Sequence, residues 1–198
     1  MQSSKYALIA VATACANSFA AADPGDIYIE GVAGTFADDF DVFDENDYAL
    51  LGVRAGYSFN DFFAVEGEYS GGTNSHETSY ASNRFPDRAT VLGTSEVKLD
   101  ALYGIYGKAS YPFAGRFAVH ARAGFAESEF EYSSTVLIPE SGTPSVSNAT
   151  TSETYFSYGV GGTIDVSDRI YARADVTGYS EEMFDEIYSA TVSVGVRF

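Results

Sequence analysis

The chain has 198 residues, enough for one domain of ordinary size, and 45% of them are hydrophobic, which excludes a disordered composition. Its 28 Asp and Glu against 11 Lys and Arg give a net charge of −17. No nucleic acid is expected as a partner, because phosphate binding needs clustered Lys and Arg. The 15 Tyr, 15 Phe and 19 Gly favour a sheet over a helical bundle.

The first 22 residues have the pattern of a secretory signal peptide. A polar start with Lys5 precedes an apolar stretch at 7–16, which is too short to span a bilayer as a helix. We expect cleavage after Ala20 or Ala22, which leaves residues 23–198 as one domain. An alternative makes Cys15 the acylated residue of a lipoprotein, although the residues before it lack the usual Leu.

The rest of the chain predicts eight strands of about ten residues. Each alternates apolar with small or polar side chains, the period of a strand with one apolar face. The predicted strands are 27–36, 49–59, 63–70, 99–111, 117–125, 156–166, 170–177 and 188–198.

The connections between these strands alternate in length. Turns at 60–61, 112–115 and 167–169 are short, whereas 36–47, 71–97, 127–153 and 180–186 are long and mostly polar. An even strand count with this alternation is typical of a bacterial outer-membrane barrel, which closes because lipid tolerates no unpaired backbone.

A secreted antiparallel sandwich is the alternative, since its strands also alternate. Uncharged apolar faces, and opposite faces rich in Gly, Ala and Ser, favour the barrel. Aromatic residues also gather near the short turns, as at a membrane interface. They are Tyr57, Phe59, Phe62, Phe63, Tyr111, Phe113, Phe117 and Phe198.

Charged residues at the predicted inward positions nearly balance. They are the acids Glu30, Glu66, Glu68, Asp100, Asp165 and Asp175, the bases Arg54, Lys108, Arg122, Arg173 and Arg197, and His120. Side chains fill an eight-stranded barrel, so these charges must pair or stay hydrated. The expected neighbours are Arg54 with Glu68, Glu66 with Lys108, Arg173 with Asp165 or Asp175, and Arg197 with Glu30. This arrangement predicts an ion-pair plug, and the alternative is a narrow gated polar channel.

Other candidate sites are weaker. Ser75, His76 and Glu77 have the residue types of a hydrolase triad, but adjacent residues rarely converge and no Gly-x-Ser-x-Gly motif is present. Acids of the first long loop could offer oxygen ligands to hard cations, without the spacing of an EF-hand. They are Asp38, Asp39, Asp41, Asp44, Glu45 and Asp47. We expect no catalytic site, cofactor or metal site, and a solvated loop beside the divalent ions that bridge lipopolysaccharide.

Two stretches carry a resemblance to a known family. "GVRAGYSFNDFFAVEGEYS" resembles the second hairpin of small eight-stranded outer-membrane proteins, namely the OmpA transmembrane domain, OmpX and the opacity-like porin family. "VSVGVRF" resembles the carboxyl-terminal signal that the barrel assembly machinery reads, carried here by Tyr188, Val194, Val196 and Phe198. The resemblance implies an all-β, antiparallel up-and-down transmembrane β-barrel with short periplasmic turns and longer extracellular loops.

The resemblance also implies a location in the outer membrane of a Gram-negative cell. The expected role is structural, in envelope integrity or surface interaction, without catalysis. A small porin-like channel for ions or small solutes is the second reading, and a lipid-modifying enzyme the third. The expected partners are outer-membrane lipid, lipopolysaccharide and the assembly machinery, with the protein a monomer. The polar loops could contact a surface ligand that the sequence does not identify.

Overall fold

The computed structural model describes residues 24–37, 47–82, 91–137, 144–180 and 186–198. The predicted signal peptide, Cys15 and the loop acids from Asp38 to Glu45 lie outside the described residues. Within the described ranges, no helix is long and apolar enough to cross a membrane.

The described residues form an antiparallel sheet. Its strands are β1 (Ile27–Ala37), β2 (Tyr48–Ser58), β3 (Phe63–Gly72), β4 (Ser75–Ser82), β5 (Val91–Ala114), β6 (Phe117–Leu137), β7 (Pro144–Asp165), β8 (Ile170–Ser180) and β9 (Glu186–Arg197). Each of the eight predicted strands appears, and the predicted fold class is confirmed. β4 is the addition.

β3 and β4 together occupy one position in the sheet. β3 pairs with residues 102–109 of β5, and β4 pairs with residues 91–98 of the same strand. The break lies at Thr73 and Asn74. There the Asn74 carboxamide donates to the Asp47 carbonyl (2.8 Å) and accepts from the Ala49 N–H (2.7 Å). These bonds replace ladder bonds at the break, so the nine segments make a ring of eight strands.

The ring closes through two long-range pairings. β1 pairs with β9, the last strand, and β3 pairs with β5. The terminal Phe198 N–H donates to the Ile27 carbonyl (2.9 Å), so the chain end takes part in the closure. Within the ring, closure leaves neither edge strand unpaired, which is the condition for a spanning sheet in lipid.

The short turns have identifiable causes. The Asn60 side-chain oxygen accepts from the N–H groups of Phe62 and Phe63, both at 2.9 Å, and fixes the turn predicted at 60–61. β5 continues to Ala114, so the second turn is Gly115 and Arg116, shorter than the predicted 112–115. Gly115 has a φ of 58°, which favours glycine over other residues.

Two of the predicted long loops are largely strand. β5, β6 and β7 have 24, 21 and 22 residues, so most of 71–97 and 127–153 is ordered sheet. The sequence places these segments in loops because the apolar outer face ends there, at Glu127 and Glu129, although these two residues keep the outward parity of Phe125 and so allow the strand to continue. Their Ser, Thr and Val residues still suit a strand, and each segment has a partner strand.

The outer face has two belts of exposed aromatic side chains. The lower belt, at the short turns, is the one that the sequence predicted. The upper belt consists of Tyr69, Tyr103, Phe125, Phe156 and Tyr158. Between the belts, the outward-facing described positions carry no charge. Beyond the upper belt, β4 and parts of β5–β7 continue as a protruding sheet (residues 75–82, 91–100, 127–137 and 144–154).

Candidate functional site

The barrel interior is centred on Arg54, whose side chain is fully buried. Arg54 lies opposite Glu68 on β3, with its Nε 2.9 Å from Oε2 of that carboxylate. Its Nη1 donates to Glu30 on β1 (2.7 Å) and to Asp175 on β8 (3.2 Å). One guanidinium thus joins four strands around the lumen.

Arg173 makes a second centre below Arg54, nearer the short turns. Its Nη1 donates to Glu66 Oε1 (2.6 Å), and its Nε lies 2.8 Å from Asp175 Oδ2. Glu66 also receives the Lys108 ammonium (2.8 Å) and the Tyr28 hydroxyl (2.6 Å). Because each carboxylate meets several donors, the charges are compensated where water is excluded.

His120 completes the ring of contacts on the β6 side. Its Nε2 lies 2.6 Å from Asp175 Oδ1. The opposite residue on β7 is Gly161, where a Cβ would collide with both side chains. On the same strand as His120, Arg122 donates to Glu68 (2.6 Å) and stacks on the Tyr106 ring at 4.3 Å.

The inner charges balance. The carboxylates Glu30, Glu66, Glu68 and Asp175 face the cations Arg54, Lys108, Arg122 and Arg173. We call these eight residues with His120 the ion-pair plug. The short hairpins fix the register of neighbouring strands and so place the inward residues of the plug at matching heights.

The expected neighbours were mostly found, with one correction. Arg54 meets Glu68, Glu66 meets Lys108, and Arg173 meets Asp175 rather than Asp165. The expected contact of Arg197 with Glu30 is absent, because the Tyr171 ring lies beside Arg197 (4.4 Å) and its hydroxyl binds Glu30 (2.7 Å). Arg197 instead pairs with Asp165 at 2.8 Å.

The prediction for Asp100 was wrong. Leu99 lies opposite Phe130 and Ala101 opposite Glu129, so Asp100 is the extra residue of a β-bulge. The bulge reverses the parity of β5, which buries Leu99 completely and exposes Asp100. Asp100 then pairs with Lys98 at 3.2 Å on the outer surface.

An apolar layer above the plug is a feature that the sequence analysis missed. It combines residues from six strands, none of which shows an apolar inner stripe by itself. Its members are Phe36, Leu50, Leu99, Leu102, Tyr106, Ala126, Tyr155 and Tyr179. The lumen is therefore closed twice, first by paired charges and then by packed apolar side chains.

Buried hydroxyl groups were also missed. Tyr171 and Ser193 donate to Glu30, and Thr177 accepts from Arg122. One sequence signal could have identified such a hydroxyl group, namely a Tyr at an inward position opposite a Gly of the neighbouring strand. Tyr171 faces Gly195, and the ring fills the space where a Cβ would stand.

One small cavity lies at the short-turn end of the lumen. It has a volume of about 60 Å³ and is lined by the polar residues Lys108, Asp165 and Arg197 among others. The space suffices for a few water molecules. It ends at the plug.

The candidate triad does not assemble. Ser75, His76 and Glu77 are consecutive residues of β4, so the His side chain lies on the opposite face from the other two. The His76 ring contacts Tyr48 edge-on, with centroids 4.8 Å apart. In the described part of the chain, no group of three His, Cys, Asp or Glu side chains could hold a metal ion.

The residues of the expected assembly signal lie on β9 and at the chain end. Val194, Val196 and Phe198 face outward, and Phe198 is 71% exposed in the lower aromatic belt. Tyr188 is half-buried at the other end of the strand, opposite Gly178.

A closed ring of eight antiparallel strands, apolar outside and ion-paired inside, defines an outer-membrane barrel. The family model of the outer membrane protein β-barrel domain matches residues 6–198. The chain belongs to this family.

Solved structures give the same fold. OprG from Pseudomonas aeruginosa is 11% identical, with a TM-score of 0.54, over 91% of this chain and 99% of that chain. Ail, the attachment invasion locus protein of Yersinia pestis, is 15% identical, with a TM-score of 0.51, over 88% and 99%. No curated protein sequence matches the chain.

Proposed function

We propose that the protein is a non-catalytic barrel of the cell outer membrane, exported by its signal peptide, whose protruding sheet is a surface-interaction element. The length of the sheet carries this proposal. β6 continues through residues 127–137 beyond the upper belt, paired with β7 throughout. At about 3.3 Å per residue, the extension is about 35 Å long. Short loops would suffice to connect the barrel strands.

The protruding sheet has an open edge on β7. Residues 144–155 pair with β6 on one side, and β7 pairs with β8 only from Phe156 onward. In the described ranges, no other strand covers this edge. An open edge offers unpaired N–H and C=O groups to an extended segment of another chain.

Adhesion of whole cells tests the proposal. Neighbouring residues of a strand point their N–H groups to opposite sides. Of residues 148 and 149, one therefore donates its N–H to β6 and the other points its N–H to the open edge. Of the variants Asn148→Pro and Ala149→Pro, the one at the open-edge position removes only an unpaired donor and should fold. Bacteria that display the protein should be retained on epithelial layers or on sister cells more than bacteria with empty vector. The folded proline variant should lose this retention, whereas Asn148→Ala and Ala149→Ser should keep it. Equal retention of all variants would contradict the proposal.

A structural role in the envelope is the second part of the proposal. The twice-closed lumen supports it, since such a barrel adds no path for solutes. Outer-membrane lipid, lipopolysaccharide and the assembly machinery are its proposed partners, with the protein a monomer. A strain without the protein should become sensitive to SDS. Expression of the folded proline variant in that strain should restore resistance. Unchanged sensitivity of the deletion strain would refute the structural role.

The channel and the lipid-modifying enzyme are less well supported. The paired charges and the apolar layer weigh against a channel, and the opposed faces of Ser75 and His76 weigh against a triad. Overexpression should leave the acyl-chain number of lipid A unchanged by mass spectrometry. A change that depends on His76 would favour the enzyme.

A further inference from the structure

The open edge of β7 lacks the usual protection against strand addition. From Ser145 to Ser152 the edge has no charged residue and no proline, and every one of these residues is exposed. Natural edges are usually blunted by lysine, proline or a bulge. In a chain with a net charge of −17, eight consecutive uncharged residues on an open edge are compatible with pairing to another strand.

A row of carboxylates lies next to this edge. Glu127, Glu129 and Glu131 share the outward face of β6 at alternate positions. Their partners on β7 are Thr154, Ser152 and Thr150. The side chains between the carboxylate row and the open edge are therefore short hydroxyl groups.

This arrangement gives long basic side chains a path to the row. A strand added to β7 would lie about 10 Å from β6, two strand spacings away. Lys and Arg carry their charge on long flexible stems that can cross the short Ser152 and Thr150. Because the carboxylates repeat every second residue, the matching charges would repeat every second residue as well.

The rest of the outward face of the protruding sheet is also negatively charged. Six carboxylates lie on the whole face within the described residues, and Lys98 is the cation among them, in contact with Asp100 at 3.2 Å. The carboxylates are Glu77, Glu96, Asp100, Glu127, Glu129 and Glu131. A basic partner would be attracted over a distance of several Å, and an acidic one repelled.

We propose that the edge at residues 145–152 takes an extended basic segment of a partner protein as an added strand, with Lys or Arg at alternate positions over Glu129 and Glu131. The inference rests on the proposed surface role and names the chemistry of the partner.

Synthetic peptides test the inference with the full chain in lipid nanodiscs. The probe is a ten-residue peptide that alternates Lys and Thr. One comparison peptide alternates Glu and Thr, and another has the probe sequence with N-methyl groups at alternate backbone positions, which block strand pairing. We expect the probe to bind, and both comparison peptides to bind at least tenfold more weakly.

Protein variants locate the contact. Glu129→Gln with Glu131→Gln should weaken probe binding about tenfold at low salt, the size expected for two exposed charge contacts. The matched control is Glu77→Gln with Glu96→Gln, which removes two carboxylates from the paired positions of β4 and β5, away from the edge. The control should change the affinity less than twofold.

The outcomes separate this inference from the proposed function. Equal binding of the Lys and Glu peptides would overturn the basic partner and leave strand addition in place. Equal binding of the N-methylated probe would show attraction by charge alone and would overturn strand addition. Failure of the proposed function would appear separately, as unchanged cell retention in the folded proline variant.

Discussion

Arg54 and Glu68 lie directly opposite each other on β2 and β3, with Arg54 Nη2 2.8 Å from Glu68 Oε2. Arg54 also holds Glu30 and Asp175, so its charge serves three carboxylates from three other strands. The side chain is fully buried, and water cannot replace it.

Loss of Arg54 should therefore destabilise the barrel strongly. Arg54→Ala leaves three carboxylates short of a partner, and we expect a loss of about 3–5 kcal/mol in the free energy of unfolding. Lys98→Ala removes a cation from an exposed pair and should cost less than about 1 kcal/mol. Urea unfolding in lipid vesicles measures both. Equal losses would show that burial of the ion-pair plug does not matter.

Two adjacent glycines offer a matched test of the packing around His120. Gly161→Val places a Cβ against His120 and Asp175, whereas Gly162→Val faces outward with only the Ala118 carbonyl nearby, at 3.8 Å. We expect Gly161→Val to destabilise the barrel by about 1–3 kcal/mol through overpacking, and Gly162→Val to have little effect. The same urea titration compares them. A larger effect at Gly162 would contradict the inward position of His120.

Some contacts of the ion-pair plug could be predicted from the sequence and others could not. Arg54 and Glu68 flank one tight turn, so counting residues from Asn60 gives their register. The contact of Arg54 with Asp175 joins strands 121 residues apart in sequence. It depends on how the closed ring places β2 across from β8, and no local pattern contains that information.

The bulge at Asp100 shows a different limit. The sequence alternates on both sides of Asp100. This pattern fits a regular strand as well as a bulged one. One extra residue exchanges the two faces, so Leu99 and Asp100, the first residues of the predicted strand, were assigned to the wrong faces. The bulge also hid one member of the apolar layer, since Leu99 was expected on the outer face.

Substitutions at the bulge should reveal which side chain is inside. Leu99→Ala should cost about 2–5 kcal/mol because it leaves a cavity in the apolar layer, whereas Asp100→Ala should change the stability by less than about 0.5 kcal/mol. A regular strand without the bulge predicts the reverse order. The urea midpoints of the two variants decide between the bulged and the regular strand, provided that the unfolding free energy of both variants depends equally on the urea concentration.

Planar-bilayer recording tests the closed lumen. The wild-type barrel should show no discrete conductance steps, because the ion-pair plug and the apolar layer block the same path. Arg54→Ala should also stay silent, since Phe36, Tyr155 and Tyr179 still close the lumen above it. An open porin in the same membranes is the control for insertion. Steps in the wild type that change in Arg54→Ala would favour the porin-like channel.

Removal of Phe198 should impair assembly more than stability. Phe198 is exposed in the lower belt, and its N–H bonds to Ile27 where the last strand meets the first. Its loss removes one backbone bond among many, so the purified variant should refold in detergent nearly as well as the wild type. In cells, however, we expect several-fold less of the variant in the outer membrane, measured as the fraction that migrates faster before boiling. Phe59→Ala, which removes another exposed aromatic of the same belt, is the control and should assemble normally. Equal loss in both variants would assign the defect to the belt, and normal assembly without Phe198 would refute its role as an assembly signal.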